Sequence, residues 1–522
     1  MLISDYVRGE TAHFELVRNG NQVFAEFSYR LNEINDAPEG PFSGEMFANI
    51  GTSGDHFDIE GFRWMSPVFF APLEEAETTS GHYIVQDYSD DVVIERQFTV
   101  TLFSAAGNFL ATANADYAFG SASNDSFRSS GNLDSASFGP DVFEGGAGHD
   151  LYRIYSADTK VFEVAGGGTD CIAAGVSYVL AAGVEVERLT TNGSTGTSNI
   201  NLTGNQIAQS LFGNAGANVL NGKGGADTMY GLAGDDTFYV DNPIDEIIEV
   251  DGQGSDTIAA TVSYRLWNDA AIEVMRTTSN AGTAAINLTG NEFAQTIIGN
   301  AGNNVLDTGG REAADILYGL GGNDIYRVHN RSDVVAERAG EGDADRVIVA
   351  TWGPYELPAG ANVEIMVAEG DSNNTLGIGN SCYMRGNELA QLMVGKPTGN
   401  DYLDGKGGND ILYGGGDRNW FNFSTAPGVG NVDTIRDFDR VNDTINFDLD
   451  VFTALGPHGS INASFFRANT TGLAQDADDH IIYETDTGKL FYDADGTGST
   501  ARVQVAVLTG SPTITALDFT AF

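Results

Sequence analysis

Residues 222–238 read GKGGADTMYGLAGDDTF and hold one pattern twice. An aspartate stands at Asp227 and recurs nine residues later at Asp236, and a bulky apolar residue follows each by two positions, at Met229 and Phe238. Glycines fill many of the positions ahead of each aspartate. Self-similarity at a short fixed period is the signature of a repeat architecture, so this stretch decides the fold class.

The nonapeptide recurs in four blocks along the chain. Each block contains a clear copy, and these are GGAGHDLYR at 145–153, GLAGDDTFY at 231–239, GLGGNDIYR at 319–327 and GKGGNDILY at 405–413. Three related units carry glutamine in place of the aspartate, at Gln209, Gln295 and Gln391. Each of these three units stands at the start of a block, so those blocks open on a turn that lacks the carboxylate.

Each nonapeptide predicts a glycine-rich turn followed by a short strand. Glycine readily takes the positive φ angles of a tight turn, whose backbone carbonyls can then point inward at one spot. The next three residues form a strand whose middle side chain faces the interior. Stacking such units predicts an all-β fold, a right-handed parallel β-roll (β-helix). Its predicted core is the column Leu202, Leu211, Leu220, Met229, Phe238 and Ile247.

The charge balance fits either a highly soluble protein or carboxylates that bind cations. The chain has 522 residues, of which 73 are acidic and 26 are basic, and its formal net charge is −47. This excess argues against nucleic acid or an anionic membrane as a partner. The two cysteines, Cys171 and Cys382, lie in different blocks and indicate neither a disulfide framework nor a zinc site. No stretch offers the roughly 18 apolar residues of a membrane span, and the first residues do not read as an export signal.

The recurring aspartates favour calcium as the cation. They supply hard oxygen ligands without histidine or cysteine, and Ca²⁺ accepts about six to eight oxygens from carboxylates and carbonyls. Mg²⁺ demands stricter octahedral geometry and keeps its waters. With two units per full coil, alternate turns stack on one edge. Asp227 is therefore predicted to pair with Asp245, and Asp236 with Asn218 and Asp256.

The units GGAGHDLYR and GKGGNDILY resemble the calcium-binding nonapeptide of the RTX (repeats-in-toxin, hemolysin-type) family. The resemblance covers roughly residues 118–430. It implies that the aspartate at position six and the carbonyls of the glycine turn bind Ca²⁺, with several ions in the chain and roughly two or more in each block. At Asn218, Asn304 and Asn419 the aspartate is replaced, so an ion site and a capping turn both remain open there.

Together with the turns that keep the same phase, these units define the predicted calcium ligands. They are Asp125, Asp141, Gly145, Gly146, Gly148, Asp150, Asp170, Asn218, Gly222, Gly224, Asp227, Gly231, Gly234, Asp236, Asp245, Asp256, Asn304, Asp315, Gly319, Gly321, Asp324, Asp333, Asp345, Asp401, Gly405, Gly407, Asp410, Asn419 and Asp433.

The repeats occupy residues 118–428, and residues 1–117 lack them. This N-terminal part predicts a β-sandwich of unknown role. AHFELVRNGNQVFAEFSY indicates two strands around Asn19-Gly20-Asn21, and HFDIEGFRWM indicates a third. A further hairpin is expected around Ala106-Gly107-Asn108.

Residues 429–522 alternate apolar and polar residues around the turns DTG and DADGTG, which predicts antiparallel hairpins. This segment is similar to the C-terminal region that RTX proteins present to a type I secretion apparatus. The resemblance implies export by that apparatus without a cleaved leader, and hence an extracellular or surface-associated protein.

No catalytic signature was found: HExxH and GxSxG are both absent, so we expect no enzyme. Two hypotheses remain. The first is a secreted structural or adhesive protein, surface-layer-like, whose partner is another copy of itself in a lattice or filament, or a cell-surface polysaccharide. The alternative is a secreted hydrolase or carbohydrate-active protein whose site lies in residues 1–117.

Overall fold

The structure is a computed structural model. It describes residues 107–111, 115–129, 140–267, 269–351, 353–369 and 381–522, and the backbone of N-terminal strands at 2–7, 10–19, 22–30, 46–47, 77–87 and 92–102. The chain divides into two compact units, Met1–Ala233 and Gly234–Phe522. Besides strands and turns, the described residues form three short 3-10 helices at Thr453–Leu455, Ala463–Phe465 and Ala516–Asp518.

Four N-terminal strands form an antiparallel sheet, in sequence order. They are β1 (Leu2–Val7), β2 (Glu10–Asn19), β3 (Gln22–Arg30) and β4 (Met46–Phe47). The pairing of β2 with β3 confirms the first predicted hairpin. The strand predicted within residues 56–65 lies outside the described residues, and the packing of a sandwich stays a prediction.

The hairpin predicted around Gly107 is wrong. β5 (Glu77–Asp87) and β6 (Val92–Leu102) pair with each other in antiparallel fashion. β6 then pairs in parallel with β8 (Ala115–Phe119), and β7 (Asn108–Leu110) pairs in parallel with β9 (Ser126–Arg128). β6 and β7 thus belong to different sheets, and parallel pairing begins ahead of residue 118.

In the first unit, successive strands of the roll alternate between sheets, so that each strand pairs with the next but one. One sheet, ordered β5-β6-β8-β10-β12, adds β10 (Val142–Glu144) and β12 (Lys160–Phe162). A second continues from β7 and β9 through β11 (Leu151–Ile154), β13 (Cys171–Ala174), β15 (Arg188–Thr191), β17 (Ser210–Phe212) and β19 (Thr228–Tyr230). A third group joins β14 (Tyr178–Val179), β16 (Leu202–Thr203) and β18 (Val219–Asn221).

The second unit repeats this alternation. One sheet runs through β20 (Thr237–Val240), β22 (Thr257–Ala260), β24 (Val274–Thr277), β26 (Thr296–Ile298), β28 (Ile316–Tyr318) and β30 (Val334–Val335). A second runs through β23 (Tyr264–Arg265), β25 (Leu288–Thr289), β27 (Val305–Asp307), β29 (Ile325–Val328), β31 (Arg346–Val349), β33 (Ile365–Ala368), β35 (Leu392–Val394), β37 (Ile411–Tyr413) and β39 (Asp433–Ile435). The third runs through β32 (Pro354–Glu356), β34 (Tyr383–Arg385), β36 (Tyr402–Asp404), β38 (Trp420–Phe423) and β40 (Thr444–Phe447). β21 covers Glu246–Ile248. These parallel strands confirm the predicted β-roll.

The middle residue of each short strand supplies the core. Leu211 in β17 lies opposite Met229 in β19, and Leu202 in β16 lies opposite Leu220 in β18. All six residues of the predicted column are buried, with at most 1% of any of them exposed. Burying one such side chain contributes roughly 1.5–3 kcal/mol, so the stacked apolar residues are a main source of stability along the roll.

The nonapeptide turn uses positive φ at its second and fourth positions. In the unit at 319–327, φ is 76° at Leu320 and 107° at Gly322. A Cβ atom on Gly322 would lie 2.8 Å from the carbonyl carbon of Gly302, which leaves no space for a side chain. In this turn position four therefore requires glycine, whereas position two accepts leucine or lysine at a cost of about 1–2 kcal/mol.

The C-terminal hairpins are confirmed. β43 (Ile481–Glu484), β44 (Lys489–Tyr492) and β45 (Val503–Leu508) pair in antiparallel fashion, and β45 pairs in parallel with β39. The remaining strands are β41 (Gly459–Ser460), β42 (Phe466–Asn469) and β46 (Phe519–Ala521). Parallel pairing thus continues through β39 and β40, so the change of sequence pattern after Asn422 does not end the solenoid. Within the described part of the chain, no helix has the length and hydropathy needed to cross a membrane.

Candidate metal centre

The aspartates of stacked turns are linked by a recurring hydrogen bond. The backbone N–H of Asp324 donates to Oδ1 of Asp345 over 2.7 Å. The same bond, at 2.7–3.1 Å, joins Asp125 to Asp150, Asp150 to Asp170, Asp236 to Asp256, Asp315 to Asp333 and Asp410 to Asp433. The predicted pairing of Asp236 with Asp256 is confirmed. The other two predicted pairs would join residues of different units and stay predictions.

The second oxygen of several aspartates has no hydrogen bond. Oδ2 is buried without a donor in Asp150, Asp324, Asp345 and Asp410. An ionised carboxylate oxygen that leaves water needs compensation, because its desolvation is costly. Each of these oxygens therefore requires either a proton or a cation.

Three groups of three buried carboxylates come together in the roll, one in each of the first three blocks. We name them the first trio (Asp150, Glu163, Asp170), the middle trio (Asp236, Glu249, Asp256) and the third trio (Asp324, Glu337, Asp345). In each trio, one ligand atom from every residue lies within 4.8 Å of the others. All nine residues are at most 5% exposed. The structure therefore brings together six of the predicted aspartates and adds three glutamates.

Sequence reasoning missed these glutamates because they stand outside the nonapeptide motif. Glu163 follows β12 and Glu249 follows β21, so each takes the place at which the next glycine turn would begin. A signal was available, because each glutamate lies thirteen residues after the first aspartate of its trio in all three blocks.

Burial makes the charged form of the trio carboxyls costly. In the third trio, burial raises the pKa of Glu337 to about 8, that of Asp324 to about 7 and that of Asp345 to about 6. Neighbouring carboxylates add to the shift. In the first trio, burial likewise raises the pKa of Glu163 to about 8. Without a counter-ion, the first and third trios therefore hold protons close to neutral pH.

The first glycine of the nonapeptide leaves room for the carboxylates. A Cβ atom on Gly319 would collide with Oδ2 of Asp324 and with the hydroxyl of Tyr326. The same conflict with the aspartate five residues on occurs at Gly145, Gly222 and Gly405. Glycine at position one therefore shapes the space that the carboxylates occupy.

The carbonyl groups of the glycines at position one also stack from one turn to the next. The carbonyl oxygen of Gly319 lies 2.8 Å from the place where Gly299 would carry a Cβ atom, and the relationship recurs between Gly222 and Gly204 at 2.7 Å. Gly146, Gly148 and Gly234 have φ between 95° and 131°. The other predicted glycine ligands, Gly224, Gly231, Gly321 and Gly407, lie in the same turns.

The trios fit a calcium ion. Their side chains offer carboxylate oxygens, and backbone carbonyls run alongside, which is the mixed shell that Ca²⁺ accepts. Three ionised carboxylates carry more negative charge than one divalent cation neutralises. A buried oxygen without a donor in each of Asp150, Glu163, Asp324, Glu337 and Asp345 marks where compensation is needed.

The fourth block differs from the others, and the trios found among the described residues do not extend to it. Asn419 stands where Asp324 stands in the third block, and Val432 stands thirteen residues later in place of the glutamate. Oδ1 of Asn419 accepts a hydrogen bond from the backbone N–H of Asp401 over 3.1 Å. Burial also raises the pKa of Asp410 to about 8 in this block.

The glutamine turns are closed by their own hydrogen bonds. Nε2 of Gln295 donates to Oδ1 of Asn291 over 2.6 Å, and Nδ2 of Asn291 donates to the carbonyls of Trp267 and Ala270 over 2.7 Å. Gln209 with Asn205 and Gln391 with Asn387 repeat the bond. In these turns, side-chain amides donate to the neighbouring oxygens. In several aspartate turns, by contrast, the second carboxylate oxygen has no donor.

The asparagine positions behave in the same way. Nδ2 of Asn304 donates to the carbonyl of Ile286 over 2.9 Å, and its Oδ1 accepts from the backbone N–H of Asn300 over 2.7 Å. Asn218 makes the equivalent bonds to Ile200 and Asn214, at 2.8 and 2.7 Å. These contacts favour the capping turn at both positions.

The remaining predicted ligands accept hydrogen bonds from the backbone. Asp125 uses both oxygens, Oδ1 for Gly107 and Oδ2 for Ser121, at 2.6 and 2.7 Å. The others are Asp141, which accepts from Asp116, Asp227 from Gln209, Asp245 from Asn242, Asp333 from His329, Asp401 from Cys382 and Asp433 from Asp410. Calcium coordination by individual residues stays a prediction.

Comparison with protein families agrees with this arrangement. The family model for the RTX calcium-binding nonapeptide repeat matches the chain in four copies, over residues 204–242, 289–326 and 398–424. The chain therefore contains RTX calcium-binding repeats. Calcium is therefore the cation that its repeats bind. Of the nine trio residues, Asp236 and Asp324 lie within the matched RTX residues, and the first trio, which lies wholly outside them, has the same composition and spacing as the middle trio. A search of curated proteins found no match.

Proposed function

We propose that this RTX protein is secreted and that its rolls fold when they bind extracellular calcium, giving a stiff scaffold with a structural or adhesive role at the cell surface or in the extracellular matrix. The observation that carries the proposal is the set of buried acidic trios, whose oxygens lack donors within the roll. A fold that buries so much like charge is stable only when the charge is compensated.

The chain's own residues determine this calcium dependence. When ionised, Asp324, Glu337 and Asp345 repel one another across less than 4.8 Å. A bound calcium ion supplies the positive charge that offsets this repulsion. Ligand binding that favours the native state contributes directly to folding free energy. The rolls are therefore expected to be much less stable, and in large part unfolded, at the low calcium concentration of a cytoplasm.

Export by a type I apparatus is part of the proposal. An unfolded chain suits a narrow conduit, and the resemblance of residues 429–522 to the RTX secretion region supports this route. A test is coexpression of the full chain, and of a chain ending at residue 428, with such an apparatus. The full chain is expected in the medium and the shortened chain inside the cells, and equal release of both chains would contradict the route.

Calcium-dependent folding has a direct test. Circular dichroism of the refolded full-length protein should show a gain of β-structure and a higher melting temperature when EDTA is replaced by millimolar calcium. Equal spectra and melting temperatures in both conditions would overturn the proposal. A D345A variant should respond less, while an exposed change such as E312Q should respond like the parent.

The structural role concerns what the folded scaffold contacts. We propose that the partner is a second copy of the chain, and electron microscopy before and after addition of calcium tests this. Lattices or filaments that form only with calcium would support it. Dispersed monomers that bind a purified cell-surface polysaccharide would contradict self-assembly and favour an adhesive role.

The proposed role is also non-catalytic. The alternative, a hydrolase or carbohydrate-active protein with a site in residues 1–117, can be tested with the calcium-loaded full-length protein and a panel of polysaccharide and ester substrates. Calcium-dependent release of product would contradict a purely structural role.

A further inference from the structure

The three acidic trios differ in the residue that stands beside the glutamate. In the first trio, the hydroxyl of Tyr152 donates a hydrogen bond to Oε1 of Glu163. In the third trio, the hydroxyl of Tyr326 donates to Oε2 of Glu337. The middle trio has Phe238 at the same place, two residues after its first aspartate. Two trios thus have a phenol at this position; the middle trio has a phenyl ring there, and Oε1 of Glu249 accepts a hydrogen bond from the backbone N–H of Val250 over 3.3 Å.

The two tyrosine rings are held in place by the core. Tyr152 stacks on Phe127, with ring centroids 5.1 Å apart and planes 9° apart. Tyr326 lies between Leu306 and Val347 of the neighbouring strands. Both tyrosines are completely buried. Their hydroxyls therefore occupy fixed positions.

The hydrogen bond divides the roles of the two glutamate oxygens. In Glu163, Oε1 accepts the tyrosine proton, while Oε2 is buried without a hydrogen bond. In Glu337, Oε2 accepts and Oε1 has none. A donor on one oxygen favours the ionised carboxylate and fixes its orientation, which leaves the other oxygen for a cation.

We propose that Tyr152 and Tyr326 are positioning residues that strengthen calcium binding at the first and third trios, and that Phe238 makes the middle trio the weaker site. This inference rests on the proposed calcium-dependent function. Loss of an outer-shell partner typically lowers metal affinity about 10–100-fold. We therefore expect the first and third trios to fill at lower calcium concentrations than the middle one.

The phenol can be removed from two trios and added to the third by single substitutions. The loss variants are Y152F and Y326F, and the gain variant is F238Y. Y413F is the matched control, because Tyr413 lies on the surface and is 39% exposed. Each full-length variant is refolded and titrated with calcium chloride by calorimetry. Its melting temperature in EDTA is also measured, so that a change in calcium-free stability can be separated from a change in binding.

Y152F and Y326F should each shift one tight site to at least tenfold weaker binding, while Y413F should bind like the parent. F238Y should shift one weak site to tighter binding. A terbium titration gives a second readout, since a phenol beside the ion sensitises terbium emission. F238Y should gain such emission, and Y326F should lose some. A purely structural role for the tyrosines would not produce the tighter calcium binding of F238Y.

The outcomes separate this inference from the proposed function. If the parent binds calcium but all three variants keep its calcium affinities, the tyrosine proposal is overturned and calcium-dependent folding stands. If the parent itself binds no calcium, both are overturned. If F238Y binds more tightly, the positioning role is supported even where a loss variant fails to refold.

Discussion

Oδ1 of Asp345 accepts a hydrogen bond of 2.7 Å from the backbone N–H of Asp324, whereas Oδ2 of Asp345 is buried without one. The same carboxylate thus supports the fold with one oxygen and offers the other to a cation. Because the two roles use different atoms, substitutions can separate them.

Asp345→Asn keeps an oxygen that can accept from Asp324 but removes the charge, whereas Asp345→Ala removes both. We expect both variants to lose calcium affinity at the third trio by at least tenfold, about 1.4 kcal/mol. Asp345→Ala should also lose about 1–3 kcal/mol of unfolding free energy in EDTA, because a buried N–H is left without an acceptor. Urea denaturation with and without calcium measures both effects. Equal stability of the two variants in EDTA would contradict this division of roles.

Glu337→Gln should have opposite effects with and without calcium. The substitution removes one of three crowded negative charges, so the melting temperature in EDTA should rise at pH 8.5. The increase that calcium produces should become smaller, because a carboxylate ligand is lost. The exposed Glu312→Gln is the control and should change neither value. A Glu337→Gln variant that is less stable than the parent in both conditions would argue against like-charge repulsion at this trio.

The repeat made much of the fold predictable from the sequence. Leu211, Met229 and the other column residues were identified because a nine-residue period fixes which side chain faces inward. The trio glutamates were missed because Glu163 and Glu337 contact their aspartates only after the chain has passed through another strand. The hydrogen-bond partners could not be predicted either. Gln295 and Asp315 occupy the same position of the motif, and the motif does not show what their side chains contact.

Gly319→Ala should disable the third trio although it adds only one carbon atom. The new Cβ would occupy the space of Oδ2 of Asp324 and of the Tyr326 hydroxyl. We expect a loss of calcium affinity at one site of tenfold or more and a lower melting temperature in calcium. Gly428→Ala is the matched control, because a Cβ there meets nothing within 4 Å and φ is not positive. Equal calcium binding by both alanine variants would show that position one tolerates a side chain.

Stability without calcium should fall as the pH rises. Burial raises the pKa of Glu163 and Glu337 from an ordinary 4.5 to about 8 in the folded roll. Their protonated forms therefore favour folding fully below pH 4.5, and this contribution is lost as the pH rises towards 8. In EDTA, the melting temperature should be higher at pH 5.5 than at pH 8.5, while calcium affinity should change in the opposite direction. Melting temperatures that are independent of pH in EDTA would contradict the burial of these carboxyls in the calcium-free protein.

The glutamine turns should stay stable without calcium only if the side-chain amide of the glutamine is kept. Gln295→Glu preserves size but replaces the group that donates to Oδ1 of Asn291 with an acceptor. An ionised carboxylate at this buried position faces another oxygen, so the unfolding free energy in EDTA should fall by about 1–3 kcal/mol. Millimolar calcium should recover part of this loss, because the new carboxylate lies on the same column as Asp315, whose Oδ1 accepts from the backbone of Gln295.

The matched control is Gln206→Glu, which adds the same charge at an exposed position of the glutamine turn in the first unit. Urea denaturation of both variants should leave Gln206→Glu within about 0.5 kcal/mol of the parent. If Gln295→Glu were equally stable in EDTA, the amide would not be what closes this turn. If Gln295→Glu were destabilised and calcium did not restore its stability, a carboxylate in these stacked turns would bind calcium only where the glycine turn provides room for the ion.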